Sequence, residues 1–223
     1  SYRSFMETSI PLIDFSPAFS ESPKDRRDLA AEIGQALETV GFFHITGHGV
    51  DSALIQRMRD EAYAFFALPI DEKFKVRRPA PEITRGYDPP AQQSLSATRD
   101  GATPPDLQEG FGMGGFAFPP DENYFTGGLG HYFFAPNLWP ERPAGLRRVL
   151  EEYHTRLTGL ATQMMRTFAL ALDLDESYFD DKIDRTGAHM RMNKYPAQQT
   201  PPKPPRRRSA AGHQEEASAA PGR

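Results

Sequence analysis

Between Val76 and Gly145 the chain places eleven prolines and ten glycines in 70 positions. No long helix survives that density, because proline removes a hydrogen-bond donor and glycine raises the entropy lost on ordering. The regular elements must therefore come from the residues on either side, folded around an irregular middle. That middle is not polar filler. Phe111, Phe116, Phe118, Tyr124, Phe125, Tyr132, Phe133, Phe134 and Trp139 recur through it. Two readings stay open: a long loop pinned to a core by its rings, or a loop-built wall or lid over a cavity.

On the N-terminal side, Ile10-Pro11-Leu12-Ile13-Asp14-Phe15 predicts a short strand, with Pro11 favouring an edge or a strand start. Ser22-Pro23 is a helix-start signal: a hydroxyl for the free N–H groups, then a proline where no N–H is needed. Leu29, Ile33, Leu37 and Val40 follow at helical spacing, and Gly41 ends the run. Phe42-Phe43-His44-Ile45 reads as a compact buried strand, and Gly47-His48-Gly49 as a turn. Asp51 then caps a second helix with Leu54, Ile55, Met58, Ala62 and Phe65 on one face. Strand, helix, strand, helix predicts mixed α and β structure.

On the C-terminal side, Pro143 suits a first helical position. Leu146, Val149, Leu150, Tyr153, Leu157, Leu160, Met164, Phe168 and Leu172 keep a three-to-four spacing over about seven turns. Met164 and Met165 on that helix read as core filler. Leu174-Asp175-Glu176-Ser177 predicts a further short turn of helix. His189 to Tyr195 alternates as a strand would, and Pro196 ends it.

Charge divides the chain. The net −4 is the sum of +3 from Ala197 to Arg223 and −7 from the rest. That last segment has no Val, Ile, Leu, Met, Phe, Trp or Tyr, so it cannot bury enough surface to offset its ordering entropy and reads as a disordered basic tail. A mildly acidic globular part argues against nucleic acid as a partner. No apolar run is long enough for a membrane span, and Ser1-Tyr2-Arg3-Ser4-Phe5 has no signal-peptide character. Cysteine is absent, which removes disulfides, thiolate metal sites and a cysteine nucleophile, and fits a reducing, cytoplasmic setting.

Spacing alone reveals little chemistry. His44 and His48 sit on a strand end and a turn without a carboxylate at a fixed offset, so the expectation is that His48 bonds backbone at the turn and His44 packs under a sheet. His154, beside Glu151 and Glu152, is expected on a solvated helix face. His131 has only glycine and aromatic neighbours. Gly110-Phe111-Gly112-Met113-Gly114-Gly115 is not a dinucleotide fingerprint and lacks a preceding strand and a following helix. There is no P-loop, G-x-S-x-G elbow or H-E-x-x-H.

Ordered motifs say more. Ile10-Pro11-Leu12-Ile13-Asp14-Phe15-Ser16 and Gly41-Phe42-Phe43-His44-Ile45-Thr46-Gly47-His48-Gly49-Val50 open the series. Phe65-Phe66-Ala67-Leu68-Pro69 with Glu72-Lys73, Arg85-Gly86-Tyr87, Glu109-Gly110-Phe111 and Asn137-Leu138-Trp139-Pro140 continue it. Phe168-Ala169-Leu170-Ala171-Leu172 and Arg191-Met192-Asn193-Lys194-Tyr195-Pro196 close it. Over about residues 8–200 the chain resembles the isopenicillin N synthase-like iron(II)/2-oxoglutarate-dependent dioxygenases.

That resemblance implies an α+β fold, the N-terminal part of a double-stranded β-helix (jelly-roll) oxygenase with its barrel incomplete. It divides the chain into an N-terminal dioxygenase region (8–140), the long helix with the first strand of the barrel (141–196), and the tail (197–223). It implies iron(II) and 2-oxoglutarate as cofactors and oxidation of a small molecule. Asn193 and Tyr195 match positions that contact the cosubstrate, and Arg85 and Tyr87 match a loop that reaches substrate. The family holds iron through a His-x-Asp pair and a distant second His, leaving one face of the ion open. An Arg-x-Ser clamps the cosubstrate carboxylate. All of these come after the Asn-x-Tyr-Pro motif. Here that stretch offers His213 and Glu215, a His-x-Glu on a segment with no β-forming residue.

The expectation is a chain that does not bind iron or 2-oxoglutarate by itself, with a truncated or frameshifted end after Pro204. The alternative is a non-catalytic remnant or binding module. Either would leave a barrel edge open for self-association or for pairing with another chain.

Overall fold

The computed structural model describes residues 9–90, 108–116, 118–119 and 121–196. The tail, with His213 and Glu215, lies outside the described residues. The fold is mixed α and β, with two small sheets packed on helices and neither sheet closed into a barrel.

The first layer forms as the local signals predict. Strand β1 (Leu12–Asp14) leads through a 3₁₀ turn at Ser16–Phe19 to α1 (Pro23–Thr39). The Ser22 hydroxyl accepts from the Asp25 N–H at 3.3 Å, which satisfies one of the free donors of the first turn. The chain returns as β2 (His44–Thr46), parallel to β1 with Ile13 opposite Ile45. The predicted buried strand at Phe42–Ile45 is shorter and wetter than expected. Phe42 is 71% exposed, and His44 faces solvent rather than the underside of the sheet. A two-stranded sheet has two edges and one covered face, so alternate side chains have nothing to pack on. His48 does bond the turn backbone, its Nδ1 accepting from the Val50 N–H at 3.1 Å.

Next come α2 (Ser52–Phe66), capped by Asp51 accepting from the Ala53 N–H at 3.0 Å, and the short α3 (Ile70–Phe74). The second sheet is antiparallel: β3 (Gly86–Asp88), β4 (Glu109–Gly114) and β5 (His189–Lys194), with β4 in the centre. Between β4 and β5 lie α4 (Asn123–Thr126), α5 (Gly130–Phe133), α6 (Leu146–Ala171) and α7 (Asp180–Ile183).

Two helix starts differ from the sequence expectation. The long helix starts at Leu146 on Gly145, three residues after Pro143, and the turn expected from Leu174 becomes helical only at Asp180.

Helix α6 is the spine, about 39 Å long at 1.5 Å per residue. Its N-terminal half packs Leu146, Val149 and Leu150 with Leu54 and Phe65 of α2 and with Tyr87, Phe111 and Met113 of the second sheet. Its C-terminal half places Leu160, Met164 and Phe168 against Ile13, Phe15, Leu29 and Ile33. Phe65 sits at the crossing of several rings, edge-on to Phe111 at 4.9 Å and to Tyr87 at 6.0 Å between centroids. His154 is buried on this helix, not solvated, with the Phe116 ring 5.9 Å away.

Two substitutions check this packing by urea denaturation. Phe65→Ala removes a fully buried ring and should lower stability by about 3–5 kcal/mol. Gly159→Ala, at a helical position where an added methyl meets nothing within 4 Å, should raise it by up to about 1 kcal/mol.

Candidate functional site

The centre of the second sheet is the Gly-rich stretch that spelled no nucleotide fingerprint. All six residues of β4 are buried. Its odd positions, Glu109, Phe111 and Met113, face the helices, and Gly110, Gly112 and Gly114 form a floor on the other face. Long side chains lie crosswise on that floor. A methyl on Gly110 would meet the Arg191 guanidinium, one on Gly112 the Thr84 carbonyl and the His189 ring, one on Gly114 the Arg85 guanidinium. Glycine is required here because of what lies over it. Where β3 stops short, the Asn137 amide finishes the ladder, accepting from the Gly114 N–H at 2.9 Å and donating to its carbonyl at 3.0 Å.

On the helical face, Glu109 is a buried carboxylate held from three sides. Lys73 Nζ donates to Oε2 at 2.7 Å, the Tyr87 hydroxyl donates to the same oxygen at 2.7 Å, and Lys194 reaches Oε1 at 3.2 Å. Burial alone would raise the Glu109 pKa, but the bonds from Lys73, Tyr87 and Lys194 outweigh it and hold the group below the usual carboxylate range. The same burial, with the Glu109 charge beside it, pushes the Tyr87 phenol well above its ordinary value.

On the glycine face, Arg191 Nη2 donates to Asp88 Oδ2 at 3.0 Å, and Arg78 approaches the other oxygen at 3.5 Å. His189 Nε2 bonds the Thr84 carbonyl at 2.8 Å. Lost hydration, together with the charges of Arg85 and Arg191, holds its pKa below the ordinary imidazole value.

The predicted site residues separate into two groups. Arg85 and Tyr87, matched to a substrate-reaching loop, are in the interior at 1% and 0% exposure. Arg85, although matched to a loop, is enclosed and not open to a small molecule in this structure. Its Nη atoms donate to the Thr84 hydroxyl and the Phe133 carbonyl, its Nε has no partner, and no carboxylate pairs with it among the described residues. Asn193, near the end of β5, and Tyr195, just past it, are both exposed, Tyr195 by 73%.

Beside them a groove of about 610 Å³ runs between α2, α6 and β5, and reaches Arg191, Asn193 and Tyr195. Sequence reasoning missed Glu109, His189 and Arg191. The only signal was the lysine, acid and arginine scattered through the matched motifs. Among the described residues no three His, Asp or Glu side chains converge to hold a metal.

Known proteins are similar along most of this chain. The family model described as non-haem dioxygenase in morphine synthesis N-terminal matches residues 10–142. The 2-oxoglutarate-Fe(II) type oxidoreductase hxnY of Emericella nidulans is 33% identical over 194 residues, 86% of this chain and 54% of its own length. A crystal structure of a 2OG-Fe(II) oxygenase family protein from Caulobacter crescentus superposes with a TM-score of 0.72 at 26% identity, over 86% of this chain and 58% of the other. A full-length Neurospora crassa protein, solved in complex with alpha-KG, gives 0.67 at 26% identity, over 84% and 54%. The chain spans about half the length of the curated relatives it matches.

The Glu109 cluster can be checked directly. Lys73→Met leaves a buried carboxylate short of its best partner and should destabilise by about 3–5 kcal/mol. Because the folded Glu109 lies below its unfolded value of roughly 4.3, its stabilisation is complete above that pH and is lost as pH falls through the folded value. Glu109→Gln should therefore flatten the acid limb of a pH–stability curve, and an unchanged slope below about pH 4.5 would show the cluster is not formed.

Proposed function

Because the chain belongs to the non-haem iron(II)/2-oxoglutarate-dependent dioxygenase family, we propose that it builds the N-terminal wall of an oxygenase that oxidises a small organic molecule. The observation that carries this reading is the Asn193–Tyr195 pair. Asn193 lies near the end of β5 and Tyr195 just past it, next to a groove of ligand-binding size. In this reading the Asn193 amide and the Tyr195 hydroxyl hold 2-oxoglutarate, offering a donor or acceptor each without charge.

The residues that enforce this placement lie beneath. Lys194 is drawn inward to Glu109 and the Phe66 carbonyl, and strand alternation then turns its neighbours outward. Iron would supply oxygen activation when bound. The described residues offer no donor set for it, and we place its ligands elsewhere, with His213 and Glu215 the pair that the tail contributes. A cytoplasmic setting fits the absence of cysteine and a structure in which no described helix is long and apolar enough to cross a membrane.

A second reading rests on the outer edge of β5, which no other described strand covers. A six-residue strand whose outer edge pairs with no other described strand, beside an apolar groove, suits pairing with another polypeptide. In that case the chain is a binding module, and self-association is its simplest form.

Amide NMR tests the first reading. With millimolar 2-oxoglutarate, the signals of Asn193 and Tyr195 should move before others, and Asn193→Ala should weaken the response about fivefold or more, the loss of roughly one hydrogen bond. Movement confined to other residues would remove the assignment. Incubated with iron(II), oxygen and 2-oxoglutarate, the purified chain should release no carbon dioxide above a protein-free control, and iron-dependent release would overturn the placing of the iron ligands.

A further inference from the structure

Three side-chain groups lie in a row on the glycine floor: the Arg191 guanidinium over Gly110, the His189 ring over Gly112 and the Arg85 guanidinium over Gly114. Alternate residues of a strand stand about 7 Å apart, which sets the row at about 14 Å. Its charges do not balance. Asp88, at the Gly110 end, is already shared by two guanidiniums, those of Arg191 and Arg78. Arg85, at the other end, has no carboxylate partner among the described residues, and its buried Nε meets no acceptor. Between them His189 gives its Nε2 to the Thr84 carbonyl, and lost hydration beside two guanidiniums favours the neutral ring. Positive charge is thus in excess along a face that reaches solvent, where His189 is exposed and Arg191 part-exposed.

We propose that this face binds the carboxylate of a small organic acid, with Arg191 making the contact and Arg85 supplying a buried charge behind it. Arg191 Nη2 carries two hydrogens and gives one to Asp88 at 3.0 Å, while Nε and Nη1 meet no acceptor among the described residues. An edge of Nη2 with a neighbouring nitrogen therefore remains, and such an edge meets both oxygens of a planar carboxylate. Asp88 and the missing side chain at Gly110 hold the fork in place before the acid arrives. Arg85 is enclosed and cannot touch the acid, but a charge set in the interior acts over distances at which water would screen it. Phosphate suits the face less well. Its sites ordinarily add free backbone N–H groups, and β4 is paired on both sides. Gly110 stands opposite Asn193 in the register, so the acid meets Arg191 beside the place given to 2-oxoglutarate, where a substrate has to lie. This deepens the function proposed above by naming its substrate class, and it rests on that reading only in calling the bound acid a substrate.

The test is binding, not turnover. The isotope-labelled chain is titrated with benzoate, with benzamide and with inorganic phosphate, and the Arg191 Nε–H and the Gly110 and Gly112 amides are followed by NMR. Millimolar benzoate should move these signals saturably. Benzamide, of the same shape without the charge, and phosphate should each bind about tenfold more weakly or worse. Arg191→Gln should weaken benzoate about tenfold, and Arg191→Lys, which keeps the charge and loses the fork, about threefold. Arg85→Met puts an apolar chain in place of a buried cation, a change that folds commonly tolerate. It should weaken benzoate about threefold through the lost charge alone. If Arg85→Met does not fold, the Arg191 variants, at a part-exposed position, decide the matter.

Equal binding of benzoate and benzamide would overturn the proposal, as would benzoate affinity unchanged in Arg191→Gln or in folded Arg85→Met. Tighter binding of phosphate would make the face a phosphate site and overturn it too. So would 2-oxoglutarate displacing benzoate from Arg191 at equal concentration, which would give the fork to the cosubstrate. If benzoate binds as described while 2-oxoglutarate leaves Asn193 and Tyr195 unmoved, the acid site stands and the cosubstrate assignment fails.

Discussion

One buried carboxylate holds the second sheet to the helices. Glu109 begins the central strand, and its three partners come from three other elements: Lys73 from α3, Tyr87 from β3 and Lys194 from β5. An ionised carboxylate in a protein interior is costly unless its charge is met and its lone pairs are filled. Here both conditions hold only when all three elements are in place together. Both lysines also reach the Phe66 carbonyl at the end of α2, where the last helical carbonyls lack intrahelical partners. The cluster therefore sets register as well as position. A slip of β5 by one residue would bring Asn193 inward, leave Glu109 with one cation and turn Tyr195 away from the open face.

From that register the two faces of the sheet acquire different chemistry. The helical face combines the Glu109 cluster with aromatic packing around Phe65. The opposite face is a glycine floor under Arg85, His189 and Arg191. Three alternate glycines along one strand would ordinarily weaken it, since glycine contributes no packing and loses most entropy. They are tolerated because β4 is paired on both sides and Asn137 extends its ladder at Gly114. The floor in turn lets guanidinium and imidazole groups lie flat, nearer the backbone than any Cβ would permit.

These arrangements explain what could be read from the chain and what could not. Ser22 and Asp51 were legible because a cap is settled within three residues, and α6 was legible because its stripe repeats for 26 residues. The alternation from His189 to Tyr195 identified β5. By contrast, Glu109–Gly114 is half glycine and carries little β-forming signal of its own. Its strand character comes from β3 and β5, both distant in sequence. His154 looked solvated beside two glutamates, yet burial on a helix is decided by which face meets the core, and Phe116 covers it. Arg85 was unreadable for the same reason. A guanidinium among apolar and glycine residues gives no local hint that it will be enclosed. Resemblance supplied the family and the outward pair, but only the three-dimensional arrangement revealed which residues hold them in place.

The charge pattern also limits what the described residues of this face can hold. A ferrous site needs carboxylate and imidazole donors free to face one ion. Among the described residues the two buried carboxylates, Glu109 and Asp88, each already face two cations, and a metal would have to compete with those partners at close range. His189 turns its Nε2 to a backbone carbonyl and sits among guanidiniums that disfavour a second positive charge. In this part of the fold the acids are occupied in holding elements together, Glu109 and Asp88 each bridging segments distant in sequence.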